Sequence, residues 1–331
     1  MTESICVLGA GSWGTALAIL LARNGNQVSL WGRDSAAVKK MAVSRHNERY
    51  LPDIPFPKSL KLQPDFCEAV STSRRALVVV PSHAFSKILS QLRACDSQPR
   101  SVIWGTKGLS VGDGRLLSNV AEQILDGSDL TGVISGPSFA KEVGLGLPTA
   151  LTVAAESIQI AEAFASWFRG DSTRIYTSDD MAGVQLGGGI KNVMAIATGI
   201  NDGLRLGANS RAALITRGLA EIARMGKVMG GRSETFMGLT GVGDLLLTCT
   251  DDQSRNRRAG LGLGSGKLLP QVLSDIGQVV EGVGTTREVF HKSLELGIEM
   301  PITTEVYRVL FEDKSPQLAV RDLLKRDPIR E

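Results

Sequence analysis

Ile5-Cys6-Val7-Leu8, Gly9-Ala10-Gly11-Ser12-Trp13-Gly14 and Thr15-Ala16-Leu17-Ala18-Ile19-Leu20-Leu21-Ala22-Arg23-Asn24-Gly25 follow one another near the start of the chain, and Val28-Ser29-Leu30-Trp31-Gly32-Arg33 comes next. The first run is short and apolar, as a buried parallel strand requires. The Ala/Leu-rich run reads as a helix that stops at Gly25, and Val28 to Trp31 read as a second strand. Together they make one βαβ unit. Gly9 permits a tight turn, Gly11 lets backbone N–H groups approach a pyrophosphate, and Gly14 lets the helix pack closely. The helix N-terminus then faces the phosphates. A glycine-rich turn alone is a weak signal. Set between a strand and a helix that lead to a second strand, it favours dinucleotide binding over a bare structural turn.

At the end of the second strand, an NAD-selective site places an acidic residue against the ribose 2′-hydroxyl. Here stands Arg33, whose guanidinium suits adenine stacking and a 2′-phosphate, followed by Asp34, which suits the hydroxyl. NADP and NAD both stay open on these residues.

The 331 residues are 43% apolar and 21% charged, enough for two globular domains with separate cores. The net charge is +3 with both signs scattered, which gives no argument for a nucleic acid or membrane partner. Cys6, Cys67, Cys95 and Cys249 show no paired spacing, and three histidines do not complete a zinc or redox motif. No metal is expected, and the thiols are expected to be reduced. The N-terminus does not read as a signal peptide, and no run approaches the roughly 18 apolar residues of a membrane span. The expected location is the cytoplasm.

Residues 47–64 carry Pro52, Pro55, Pro57 and Pro64 and read as a loop with short extended pieces around the sheet edge. Further strands are expected at 76–80, 101–104, 132–134, 151–155 and 174–177. In an open α/β sheet the ligand lies beyond the carboxyl ends of the strands, so His83, Lys107, Gly136 and Ser138 fall in the informative turns. His83 is read as a helix-start residue, because no acidic partner nearby in sequence orients it.

From about residue 180 the pattern turns to long helical segments. Lys191 and Asn192 follow Leu186-Gly187-Gly188-Gly189-Ile190 and precede Val193-Met194-Ala195-Ile196, apolar on nearly every face. A buried ammonium is costly unless paired. The expected partner is Asp244, itself followed by Leu245-Leu246-Leu247. Each alone reads as a snorkelling lysine or a helix cap; the two together favour a functional pair. Ser254-Arg255-Asn256 supplies a guanidinium fork with a hydroxyl and an amide, an anion grip set against the alternative of a solvated basic loop. Gly266-Lys267 is not a P-loop, since Leu261 and Leu268 occupy the positions that need Gly and Ser/Thr.

Gly9-Ala10-Gly11-Ser12-Trp13-Gly14-Thr15-Ala16, Thr106-Lys107-Gly108-Leu109, Ser135-Gly136-Pro137-Ser138-Phe139-Ala140, Ile190-Lys191-Asn192-Val193, Gly243-Asp244-Leu245 and Ser254-Arg255-Asn256 stand in this order. The set resembles the bacterial-type NAD(P)-dependent glycerol-3-phosphate dehydrogenases. The resemblance implies an α/β fold with a Rossmann-type dinucleotide-binding domain over residues 1–180. An all-α substrate domain follows over 181–331, like the C-terminal domain of 6-phosphogluconate dehydrogenase. It implies interconversion of dihydroxyacetone phosphate and sn-glycerol 3-phosphate for phospholipid synthesis, with NADP or NAD as cofactor and a homodimeric enzyme. Gly9, Gly11, Ser12, Trp13, Gly14, Arg33, Lys107, Ala140, Arg255, Val279 and Glu281 would meet the cofactor. Lys107, Gly136, Ser138, Lys191, Asp244, Ser254, Arg255 and Asn256 would hold the substrate, and Lys191 would transfer the proton. Two rivals are a related reductase of hydroxyacids or ketopantoate, which has no need of the Ser254-Arg255-Asn256 grip, and a non-catalytic dinucleotide sensor, which has no need of Lys191 and Asp244.

Overall fold

The computed structural model describes residues 4–125, 127 and 129–326. They form two compact units: one from the residues up to Ser110 together with Arg115–Gln185, the other from Val111–Gly114 together with the residues from Leu186 onward.

The first unit alternates strands and helices: β1 (Ser4–Leu8), α1 (Ser12–Arg23), β2 (Gln27–Trp31), α2 (Ser35–Ser44), β3 (His46–Asn47), β4 (Leu51–Pro55), β5 (Leu60–Gln63), α3 (Phe66–Ser71), β6 (Arg75–Val78), α4 (Ser82–Arg93), β7 (Ser101–Trp104), α5 (Leu117–Ile124), β8 (Leu130–Ser135), α6 (Ala140–Leu145), β9 (Thr149–Ala155), α7 (Ile158–Phe168) and β10 (Thr173–Ser178). Eight strands make one sheet in the order β10-β9-β8-β7-β6-β1-β2-β5, and β3 pairs with β4 outside it. Within the sheet only the β8–β9 pair is antiparallel.

Successive side chains of a strand point to opposite faces, and both faces are covered here. Ile5 and Val7 pack with Leu17 and Leu21 of α1, whereas Cys6 and Leu8 pack with Phe85 and Leu89 of α4. That is why the strands read as continuous apolar runs. Because β1, β2, β6, β7 and β8 run parallel, the turns after them share one edge of the sheet.

The short extended pieces of residues 47–64 include an edge strand of the main sheet: β5 pairs with β2 and closes the sheet. Its apolar residues, Leu60 and Leu62, alternate with Lys61 and Gln63, the pattern of a short edge strand, and the prolines delimit it. One expectation is overturned: the thiols are not all reduced. Cys67 and Cys95 form a disulfide, with Cα atoms 5.6 Å apart, and Cys6 and Cys249 are free and buried. Cys67 lies on α3 and Cys95 just beyond α4. Ala69, Val70, Leu89, Leu92 and Cys95 join one apolar cluster, so packing brings together two cysteines whose separation in sequence carries no signal.

The second unit takes up most of α8 (Met181–Gly203) and continues with α9 (Gly207–Val228), α10 (Ser233–Phe236), a π-helical turn at Leu239–Gly243, α11 (Asp244–Thr250), α12 (Arg255–Gly264), α13 (Leu269–Ile276), α14 (Glu281–Glu295), α15 (Pro301–Phe311) and α16 (Pro316–Leu324). Residues 183–200 of α8 are buried throughout, which accounts for apolar side chains on every face. A Cβ added at Gly187 would stand 2.3 Å from the Thr240 carbonyl oxygen, so α8 and the π-turn meet backbone to backbone. No helix among the described residues is long and apolar enough to cross a membrane.

Candidate active site

In the first unit the turn between β1 and α1 is held by its own backbone. Gly9 has φ 127°, donates its N–H to the Trp31 carbonyl at 2.9 Å, and would place a Cβ 2.1 Å from the Val79 carbonyl oxygen. A Cβ at Gly14 would stand 1.9 Å from the Gly9 carbonyl oxygen. No side chain fits at either position. Gly11 differs: an added Cβ meets nothing within 4 Å, so the protein's own packing does not exclude a side chain there. Gly11 is also the N-cap of α1 and offers no side-chain acceptor to the first amides. A free helix N-terminus beside open space suits a phosphate, so the residues fit a dinucleotide.

Other residues of this unit are placed as follows. Ser12 and Trp13 open α1, and the buried Trp13 Nε1 has no acceptor among the described residues. Arg33 is exposed just past β2. Asp34 caps α2, its Oδ1 accepting the N–H groups of Ala36 at 3.1 Å and Ala37 at 3.0 Å. The hydroxyl-binding role considered for Asp34 therefore competes with a local task. Lys107 is half-buried after β7, and Gly136 follows β8 with φ 136°. Ser138 Oγ donates to the Gly136 carbonyl at 3.1 Å, and Ala140 begins α6. His83 is exposed at the start of α4.

In the second unit the side chains come from four helices. Lys191 on α8 is 5% exposed, and Asp244, the first residue of α11, is fully buried. The Lys191 ammonium donates to Asp244 Oδ1 and, at 2.8 Å, to Thr248 Oγ1. Thr248 in turn donates to the Asp244 carbonyl at 2.7 Å. A buried cation is thus paired with a carboxylate and oriented by a hydroxyl, the condition for keeping charge inside a protein. Thr248 was not singled out from sequence. Its signal is its spacing, four residues after Asp244, which puts both on one face of α11. The neighbouring Cys249 thiol is pushed up to about 12 by burial and stays neutral.

Asn256 on α12 is turned inward. Its Nδ2 donates to Asn192 Oδ1 at 2.8 Å, and its Oδ1 accepts the Gly282 N–H at 2.9 Å, which ties α12 to α8 and α14. Ser254 caps α12, its Oγ accepting the Arg257 N–H at 3.2 Å. Arg255 is half-buried with Nη1 3.5 Å from Gln278 Oε1. Val279 is 51% exposed, and Glu281 begins α14. Arg257 and Arg258 follow the triplet directly, in a basic stretch. Arg257 is buried and bonded on three sides, while Arg258 is exposed.

Comparison with known proteins adds the following. Residues 4–161 match the family model of the NAD-dependent glycerol-3-phosphate dehydrogenase N-terminus, and residues 180–321 match that of its C-terminus. The chain is 52% identical over 327 residues to the glycerol-3-phosphate dehydrogenase [NAD(P)+] of Pseudoalteromonas translucida, covering 98% of both chains. It is 55% identical over 323 residues to the enzyme of that name from Thioalkalivibrio sulfidiphilus, covering 98% of this chain and 97% of the relative. Among solved structures, the glycerol-3-phosphate dehydrogenase of Coxiella burnetii superposes with a TM-score of 0.95 at 47% identity, covering 98% of this chain and 99% of that one.

Proposed function

The chain belongs to the NAD-dependent glycerol-3-phosphate dehydrogenase family, and from that premise we propose that it reduces dihydroxyacetone phosphate to sn-glycerol 3-phosphate with NADPH or NADH. The observation that carries this reading is the buried Lys191 ammonium held by Asp244 and Thr248. When bound, the reduced nicotinamide supplies a hydride to the carbonyl carbon. The chain must supply a proton to the oxygen and hold the ketone still. Lys191 Nζ gives its proton to the developing alkoxide, and its charge stabilises that oxygen beforehand. Asp244 and Thr248 fix the direction in which Nζ donates.

Arg255 grips the phosphate, aided by Ser254, Asn256 and Lys107, so that binding energy far from the carbonyl holds the reacting carbon in place. Gly136 and Ser138 complete the substrate contacts. Gly9, Gly11, Ser12, Trp13, Gly14 and Ala140 seat the dinucleotide, and the family resemblance assigns further cofactor contacts to Arg255, Val279 and Glu281. Arg33 takes the 2′-phosphate of NADPH, a charge-assisted contact that NADH lacks. In this reading residues 1–180 chiefly serve the cofactor and residues 181–331 supply the proton donor and most of the substrate contacts. The enzyme works in the cytoplasm as a homodimer, and its product feeds phospholipid synthesis.

The test is oxidation of NADPH and NADH followed at saturating dihydroxyacetone phosphate, with 2-oxoacids and ketopantoate as controls. Turnover of dihydroxyacetone phosphate with none of the control acids supports the reading. Cofactor binding without turnover would leave a dinucleotide sensor instead.

A further inference from the structure

Arg257 has no part in the chemistry just described, yet its guanidinium joins the three segments that carry the substrate side chains. It is the third residue of α12 and 8% exposed. Its Nε donates to the Cys249 carbonyl at 3.2 Å, in the last turn of α11, the helix of Asp244 and Thr248. Its Nη1 donates to Asp252 Oδ1 at 2.7 Å, in the link between α11 and α12. Its Nη2 donates to Asp202 Oδ2 at 2.7 Å, near the end of α8, the helix of Lys191. Asp202 Oδ2 also accepts Arg211 Nη1 at 2.8 Å, and Asn201 Nδ2 donates to Asp202 Oδ1 at 3.0 Å, so this anchor is itself fixed.

The backbone around Arg257 leaves little freedom to compensate. A Cβ at Gly199 would stand 2.1 Å from the Arg257 carbonyl oxygen, and one at Gly260 would stand 2.1 Å from the Ile196 carbonyl oxygen. α8 and α12 therefore cross in direct backbone contact. Planar, multidentate donation is what a guanidinium does and an ammonium does not. These bonds anchor the first turn of α12, where Arg255 and Asn256 stand, to α8 and α11.

We propose that Arg257 is a positioning residue for the phosphate grip, setting Arg255 through its bonds to Cys249, Asp252 and Asp202. The proposal rests on the dehydrogenase reading above, so its test carries a reference variant for that reading. The quantity measured is the ratio of kcat/KM for dihydroxyacetone phosphate to kcat/KM for dihydroxyacetone, in wild type, Arg255→Ala, Arg257→Lys and Asp202→Ala, each with its thermal midpoint. Arg257→Lys and Asp202→Ala are expected to lower the ratio about tenfold or more, through KM for the phosphorylated ketone, while unphosphorylated turnover stays within about threefold. Arg257 itself is unchanged in Asp202→Ala, so the test stands even where Arg257→Lys does not fold. Equal losses for both ketones are the mark of a merely structural residue and overturn the proposal. A ratio unchanged in both variants but lowered in Arg255→Ala overturns it too, and leaves the dehydrogenase reading intact. A ratio unchanged even in Arg255→Ala removes the phosphate grip and the proposal with it.

Discussion

At the N-terminus of α1 the cap is Gly11, which has no side chain to accept a backbone N–H. At the N-terminus of α15 the amides of Ile302 and Thr303 donate to Glu221, a carboxylate brought from α9, at 2.6 and 3.1 Å. One helix end is open and the other is closed from within. The first unit builds its site largely from main-chain groups and the absence of side chains, a design for a ligand that brings its own negative charge. The second answers its polar groups with side chains from distant helices, and Lys191–Asp244–Thr248 follows the same rule. The lesson is that the open turn of the first unit depends on backbone shape and the buried pair of the second on long-range pairing. Each can be broken separately.

Lys191 gives the largest expected effect. Lys191→Met keeps the apolar stem and deletes the charge, so kcat should fall by ~10²–10⁴, about 2.7–5.4 kcal/mol, while NADPH affinity from a fluorescence titration changes little. Asp244→Asn should cost less, and its effect should nearly vanish in the Lys191→Met background if the two act as one unit. A folded Lys191→Met enzyme keeping more than about a tenth of wild-type kcat would contradict the proton-transfer role.

Glu221 comes next. Burial lifts its carboxyl from 4.5 to about 7, against the opposing pull of its bonds to Ile302 and Thr303 and the charge of Arg224. Between those values the folded chain holds a proton that the unfolded chain has lost. Stability from this group is therefore greatest below pH 4.5, falls as pH rises toward 7, and is flat beyond. Urea titrations of wild type and Glu221→Gln across that window should diverge by up to about 3 kcal/mol, because holding a proton through each pH step of one costs about 1.36 kcal/mol. Parallel curves would show that the carboxylate stays ionised inside.

The smallest effects separate the glycines of the open turn. Gly14→Ala drives a Cβ into the Gly9 carbonyl and should destabilise the fold by about 1–3 kcal/mol. Gly11→Ala meets no protein atom, so stability should hold within about 0.5 kcal/mol while NADPH affinity drops about tenfold. A Gly11→Ala protein that binds NADPH normally would show that the dinucleotide does not approach this turn.

Much of this was open to reading along the chain. The βαβ unit was legible because strand, turn and helix state their demands within a few residues: Gly9 and Gly14 answer carbonyls of their own turn or the adjacent strand. Lys191 and Asp244 could be matched because each is a charge in an apolar run. Thr248 was within reach through its spacing from Asp244. Arg257 read as one cation in a basic stretch, yet it ends inside, with Asp202, Asp252 and the Cys249 carbonyl around it. Cys67 and Cys95 showed no pairing signal, and the sequence did not show that Asp34 caps α2. The difference has a physical cause. Backbone sterics and hydrophobic period act between neighbours and are written in local order, whereas the choice of partner for a buried charge or thiol is made by which helices pack together, over separations at which the chain itself carries no distance information.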